Sequence, residues 1–134
     1  MFNKTIIGVD LGGTKIGVGK VEANQIATHF TFNVSSQASE EKILDEIIQA
    51  IEKVFDQTTA GIGVGAPSLV DVEKGIVYDV QNIPSWKKVH LKQILEDHFH
   101  FFKKQCGKKS ALFPTNIQSN NWLLIQLRKH KLLF

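Results

Sequence analysis

The sequence predicts an α/β domain in which a mixed sheet carries helices on its faces, with three antiparallel strands leading into parallel ones. Three observations carry that reading. Residues 4–33 hold strand-like runs with apolar residues at period two, separated by short turns. Apolar residues then recur at helical spacing, first over "EEKILDEIIQAIEKVF" and again over about residues 89–99. Between these stretches "AGIGVGAP" has the length and apolar character of a short buried strand. A strand meander followed by β-α units builds such a sheet.

Residues 4–10 and 14–21 read as two strands joined by a Gly-rich turn, so they should pair antiparallel. "QIATHFTFN", residues 25–33, is expected to place Ile26, Thr28, Phe30 and Phe32 on one face, with Ala23-Asn24 as the turn before it. Ser35, Ser36 and Ser39 offer N-caps for the first helix. Ile43, Leu44, Ile47, Ile48, Ile51, Val54 and Phe55 form its apolar stripe, and Glu40 and Glu41 suit the positive end of its dipole.

In residues 60–67, Gly61, Gly63 and Gly65 share one face, which implies that a helix backbone or a ligand approaches it closely. Pro67 ends the ladder. Short extended pieces at "SLVDV" and "GIVYDV" lead through "QNIPSW" to a second helix marked by Leu91, Ile94, Leu95, His98 and Phe99. A further helix is expected at "NWLLIQLRKHKLL".

A chain of 134 residues suits one domain and is small for a complete two-lobed enzyme. Its composition is 43% apolar, yet no apolar run approaches the roughly 18–20 residues of a membrane span. The first residues lack the apolar segment and cleavage site of a signal peptide. The single Cys106 can form neither an internal disulfide nor a cysteine-pair zinc site. A cytoplasmic protein is therefore expected, with no membrane partner.

Charge divides the chain. Residues 1–100 hold nine basic and thirteen acidic side chains, a net of −4, whereas residues 101–134 hold seven basic and none acidic, a net of +7. Loss of acids and loss of periodicity coincide near Phe101. The expected division is a lobe over residues 1–100 and an atypical basic tail over residues 101–134, a frame-shifted or truncated end. Leu123, Leu124, Ile125, Leu127, Leu132 and Leu133 could cover a sheet edge or form a homodimer contact. The lysines keep this apolar tail in solution, and nucleic acid is disfavoured as its partner.

The turn "DLGGTK" interrupts an otherwise regular hairpin. Without Cβ atoms at Gly12 and Gly13, backbone N–H groups can converge on a phosphate. Thr14 adds a hydroxyl donor and Lys15 a mobile positive charge. Asp10, at the preceding strand end, could hold Mg²⁺ through water, as a carboxylate near phosphates does. A Gly-Gly turn by itself is equally an ordinary hairpin turn. The run is neither a Walker A loop nor a dinucleotide fingerprint.

"IGVDLGGTKIGVGKV" resembles the first phosphate hairpin of the ROK family of sugar kinases and sugar-responsive repressors. "GIGVGAPSLVDVEKGIV" and "NIPSWKKVHLKQILEDHF" resemble two further segments of that family, in the same order and spacing. The likeness covers about residues 5–100 and implies the N-terminal lobe of a ribonuclease-H-like, actin/hexokinase-type fold. It implies an ATP-dependent kinase acting on a hydroxyl of a hexose or N-acetylhexosamine, with Mg²⁺ as cofactor. By position, Asp10, Gly12, Gly13, Thr14 and Lys15 would serve the ATP phosphates and metal. Asn82 would bind a sugar hydroxyl, Ala66, Pro67 and Ser68 would border the sugar, and Trp86 would pack the loop.

The sequence also departs from the family. Ser68 stands where the family usually has glycine, which bears on sugar preference. No Asn-Asp-Ala motif, whose aspartate is the family's general base, occurs, and no Asp or Glu follows Asp97. The family's Cys-rich zinc segment and most of its second lobe are missing too, so no zinc site and no catalytic residue are expected. The resemblance thus implies a kinase fragment inactive by itself. The alternative is a non-catalytic sugar- or nucleotide-binding regulatory module, although the first strand begins too early for a preceding DNA-binding helix-turn-helix.

Overall fold

The computed structural model describes residues 5–66, 68–105 and 122–126. The meander forms as β1 (Thr5–Leu11), β2 (Lys15–Glu22) and β3 (Gln25–Asn33). Helix α1 (Glu40–Glu52) leads to β4 (Thr59–Ala66), then to the short strands β5 (Leu69–Asp71), β6 (Ile76–Tyr78) and β7 (Lys88–Val89). Helix α2 (Leu91–Gln105) and β8 (Trp122–Gln126) complete the order. The main sheet runs β3-β2-β1-β4-β8, antiparallel across β3, β2 and β1 and parallel from β1 to β4 and β8. Strands β5, β6 and β7 make a separate small antiparallel sheet. The mixed sheet with three antiparallel strands followed by parallel ones is thus present.

Alternation assigns the faces. Ile7, Val9 and Leu11 of β1, Ile16 and Val18 of β2, and Ile62, Val64 and Ala66 of β4 are buried in one core. Helix α1 meets that core with Ile43, Leu44, Ile47, Ala50 and Ile51, and α2 with Leu91, Leu95 and Phe99. The rings of Phe55 and Phe99 lie 4.7 Å apart, and His98 Nε2 lies 2.8 Å from Glu52 Oε1, so the two helices also meet each other. The opposite face takes the alternate residues: Gly8 pairs with Gly19 and Gly63, and Asp10 pairs with Gly17 and Gly65.

Of the three candidate caps, Ser39 starts α1, its side chain accepting from Lys42 N at 3.3 Å. Ser35 instead turns to the helix, its N and Oγ donating to the Glu46 carboxylate at 2.9 and 2.6 Å. Both termini of α1 therefore follow from local chemistry, with Val54 N and Phe55 N returning to Ile51 O beyond the last turn.

Two expectations change. Ile26 does not share a face with Thr28, Phe30 and Phe32: the pairing slips between Lys20 and Val21, so Val21 opposes Ile26 while Lys20 opposes Thr28. The residue absorbed by this bulge inverts the alternation, and Ile26 is 67% exposed. The helix expected at "NWLLIQLRKHKLL" is replaced over Trp122–Gln126 by a strand parallel to β4. Four consecutive apolar residues suit a strand as well as a helix turn, and only pairing with β4 decides. That strand lies along the β4 edge, one of the two roles open to this apolar run. The rest of the expected helix lies outside the described residues, as does Pro67.

Candidate functional site

The carboxyl ends of parallel strands β1 and β4 lie side by side, Asp10 opposite Gly65. This places the segment leaving β1, Gly12 to Lys15, beside the segment leaving β4, Ala66 and Ser68. Crevices at the carboxyl ends of parallel strands are the usual ligand positions of α/β sheets.

The turn is tight. Gly12 N donates to Lys15 O at 2.8 Å, and Val34 N donates to Thr14 O at 2.9 Å, tying the turn to the end of β3. A Cβ on Gly12 would stand 3.0 Å from Lys15 O, so the turn would have to give by a few tenths of an ångström to take a larger residue there. Asp10, Thr14 and Lys15 are exposed, leaving a carboxylate, a hydroxyl and an ammonium accessible around the turn.

Asn82 reaches the same turn from another part of the chain. A Cβ on Gly13 would fall 2.6 Å from Asn82 Cβ and 2.8 Å from Asn82 Nδ2. Four backbone bonds close the Asn82 loop: Asp79 N to Lys87 O and Val80 N to Trp86 O, both 3.1 Å, and Ile83 N to Val80 O and Trp86 N to Ile83 O, both 3.0 Å. Ile83 and Trp86 are fully buried beneath it while Asn82 stays exposed. Trp86 thus packs the loop, and its Nε1 makes no hydrogen bond among the described residues.

Ala66 is buried at the end of β4. Ser68 N donates to Ala66 O at 2.9 Å, and Ser68 Oγ donates to the Tyr78 carbonyl, so this hydroxyl clasps the start of β5 to the end of β6. Tyr78 belongs to no motif; only the β5–β6 register, which sets Leu69 against Tyr78, brings its carbonyl to Ser68. Among the described residues no group of three His, Cys, Asp or Glu side chains is placed to cage a metal ion. No helix among them is long and apolar enough to cross a membrane.

A family model described as "ROK family" matches residues 6–102. The chain belongs to the ROK family. It is similar to the glucokinase of Thermotoga maritima, with 36% identity over 109 residues that make up 80% of this chain and 32% of that protein. A glucokinase of Streptomyces coelicolor is 38% identical over 94 residues, 67% of this chain and 28% of that one. The chain spans about a third of the length of these curated relatives. The solved ROK family glucokinase from Streptomyces griseus, in complex with glucose and AMPPNP, superimposes with a TM-score of 0.62 at 31% identity, covering 72% of this chain and 30% of that chain. The actin/hexokinase-type fold of ROK kinases is thereby the fold of this lobe.

Proposed function

We propose that this chain is the N-terminal lobe of an ATP-dependent hexose kinase, with the Gly12-Gly13 turn receiving the nucleotide phosphates and Asn82 holding a sugar hydroxyl. The contact between that turn and Asn82 carries the reading, since phosphoryl transfer depends on bringing a phosphate and an acceptor hydroxyl together. Gly12 keeps the turn tight through its N–H bond to Lys15 O, while the Gly13 backbone N–H, the Thr14 hydroxyl and the Lys15 ammonium supply donors and positive charge for phosphate oxygens. Ala66, Pro67 and Ser68 border the sugar. Glucose and N-acetylhexosamines are the candidate acceptors.

Mg²⁺ fits the residues present. Asp10 offers one exposed carboxylate beside the turn, which suits an ion that keeps several waters and takes its other ligands from phosphates. When bound, the ion would neutralise developing phosphate charge. The chain's own groups orient the phosphates and the sugar.

Catalysis by this chain alone is not proposed. No acid follows Asp97, so no aspartate stands where the family places its base, and about two thirds of each relative has no counterpart here. The second reading is a sugar- or nucleotide-binding module that does not turn over. The basic tail over residues 101–134 is proposed to continue in a reading frame different from that of the family. Translating the gene in its other two frames beyond the His100 codon should yield an Asn-Asp-Ala motif, and its absence from both frames refutes that origin.

ATP-dependent phosphorylation of glucose, mannose and N-acetylhexosamines by the purified chain tests the lobe. Binding of ATP and a hexose without turnover is expected; turnover at about 1–100 per second would refute inactivity.

A further inference from the structure

We infer that Gly13 is a positioning residue for the sugar: the missing Cβ makes room for the Asn82 side chain, so a residue of the phosphate turn sets sugar affinity. This rests on the hexose-kinase reading above and adds to it a division of labour between adjacent glycines.

The two glycines face different neighbours. Beside a Cβ on Gly12 the nearest atom is Lys15 O, within the same turn, at 3.0 Å. Beside a Cβ on Gly13 the three nearest atoms all belong to Asn82: Cβ at 2.6 Å, Nδ2 at 2.8 Å and Cγ at 3.0 Å. A contact that short must be relieved by movement. Asn82 Cβ is one bond from the main chain, so rotating the amide does not clear it.

Neither side yields easily. The Asn82 loop is closed by its four backbone bonds and anchored by fully buried Ile83 and Trp86. The turn is held by Gly12 N to Lys15 O and by Val34 N to Thr14 O. An alanine at position 13 would push the Asn82 amide away from its place beside the turn, while Thr14 and Lys15 keep their backbone ties. The loss should therefore fall on the sugar rather than on the nucleotide.

The test follows the Asn82 side-chain amide by heteronuclear NMR in the isotope-labelled full chain, titrated separately with glucose and with the Mg²⁺ complex of AMPPNP. In the parent chain glucose should shift the Asn82 amide and the nucleotide should shift Thr14 and Lys15. Gly13→Ala should displace the Asn82 resonance and weaken glucose about tenfold or more, the scale of a misplaced polar partner, with nucleotide affinity within about threefold. Asn82→Gly should lose glucose similarly, and adding Gly13→Ala to it, with the contested Cβ gone, should cost little more.

Should Gly13→Ala alone unfold the chain, Gly13→Ala/Asn82→Gly, which vacates the contested space, is expected to fold and to keep the nucleotide shifts. Failure of that double variant to fold overturns the inference. A Gly13→Ala chain that keeps the parent Asn82 resonance and glucose affinity within about twofold also overturns it. A parent chain that responds to nucleotide but shows no glucose shift at Asn82 overturns the sugar reading itself, and this inference with it.

Discussion

Lys20 on β2 and Asp56, between α1 and β4, form an ion pair that ties the hairpin to the connection leaving the helix. Lys20 Nζ also lies 3.1 Å from Glu22 Oε1, and Asp56 Oδ1 accepts from Thr58 N at 2.8 Å. Burial pushes the Asp56 carboxyl up, but the hydrogen bonds from Lys20 and Thr58 outweigh it and leave the group below its ordinary value. The Asp56 hydrogen bond chiefly holds Lys20 above its own.

A depressed carboxyl stabilises the fold above its unfolded value, about 3.9, and loses that contribution as pH falls through its folded value. The raised lysine contributes below its ordinary 10.5 and loses that contribution as pH rises through its folded value. The pair is thus fully in force at neutral pH. Lys20→Met should cost about 1 kcal/mol in urea unfolding at pH 7, the range of a partly exposed pair. The deficit should shrink as pH falls through the lowered folded value of Asp56; an undiminished deficit once Asp56 is protonated would assign it to packing instead.

The β2–β3 turn holds Ala23 at φ 48° and Asn24 at φ 63°. Two positive φ values in a two-residue hairpin turn are the twist-matched geometry, but alanine adopts it at a cost of about 1–2 kcal/mol. Ala23→Gly removes that strain while adding flexibility to the unfolded chain, and a net gain of about 0.5 kcal/mol is expected in urea unfolding.

Ser68→Ala deletes only the hydroxyl that reaches the Tyr78 carbonyl. A loss of about 1 kcal/mol is expected, that of an ordinary hydrogen bond. Faster amide hydrogen exchange in β5 and β6, with β1 and β4 unchanged, would show that the bond clasps the small sheet alone.

Trp86 is fully buried under the Asn82 loop. Trp86→Ala should cost about 3–5 kcal/mol, a large share of a typical domain's stability. Trp86→Phe keeps most of the apolar area and deletes an Nε1 without a partner among the described residues, so a smaller loss, about 1–2 kcal/mol, is expected in thermal unfolding.

Local signals carried most of the fold. Period-two alternation marked β1 and β2, and helical spacing with a serine cap marked α1, because each depends on residues within one or two turns of chain. What stayed hidden depends on partners. Ile26 fits the alternation of β3, yet a bulge against β2 turns it over. Trp122–Gln126 takes its form from β4, and two-residue β7 exists only by pairing with β6. At the site, the residue types of the turn and the loop were legible. Their contact at Gly13 and Asn82 was not, since 69 positions separate them in the sequence.

The glycines opposite the core set the relief of the sheet on that side. Gly8, Gly19 and Gly63 stand in register across three adjacent strands, with Gly17 and Gly65 flanking Asp10 one step further along. His29 and Ile26 lean in over Gly17 and Gly19 from β3, within 3.6–3.9 Å of where a Cβ would stand, so the missing side chains of β2 make room for those of its neighbour and the face is levelled across the strands.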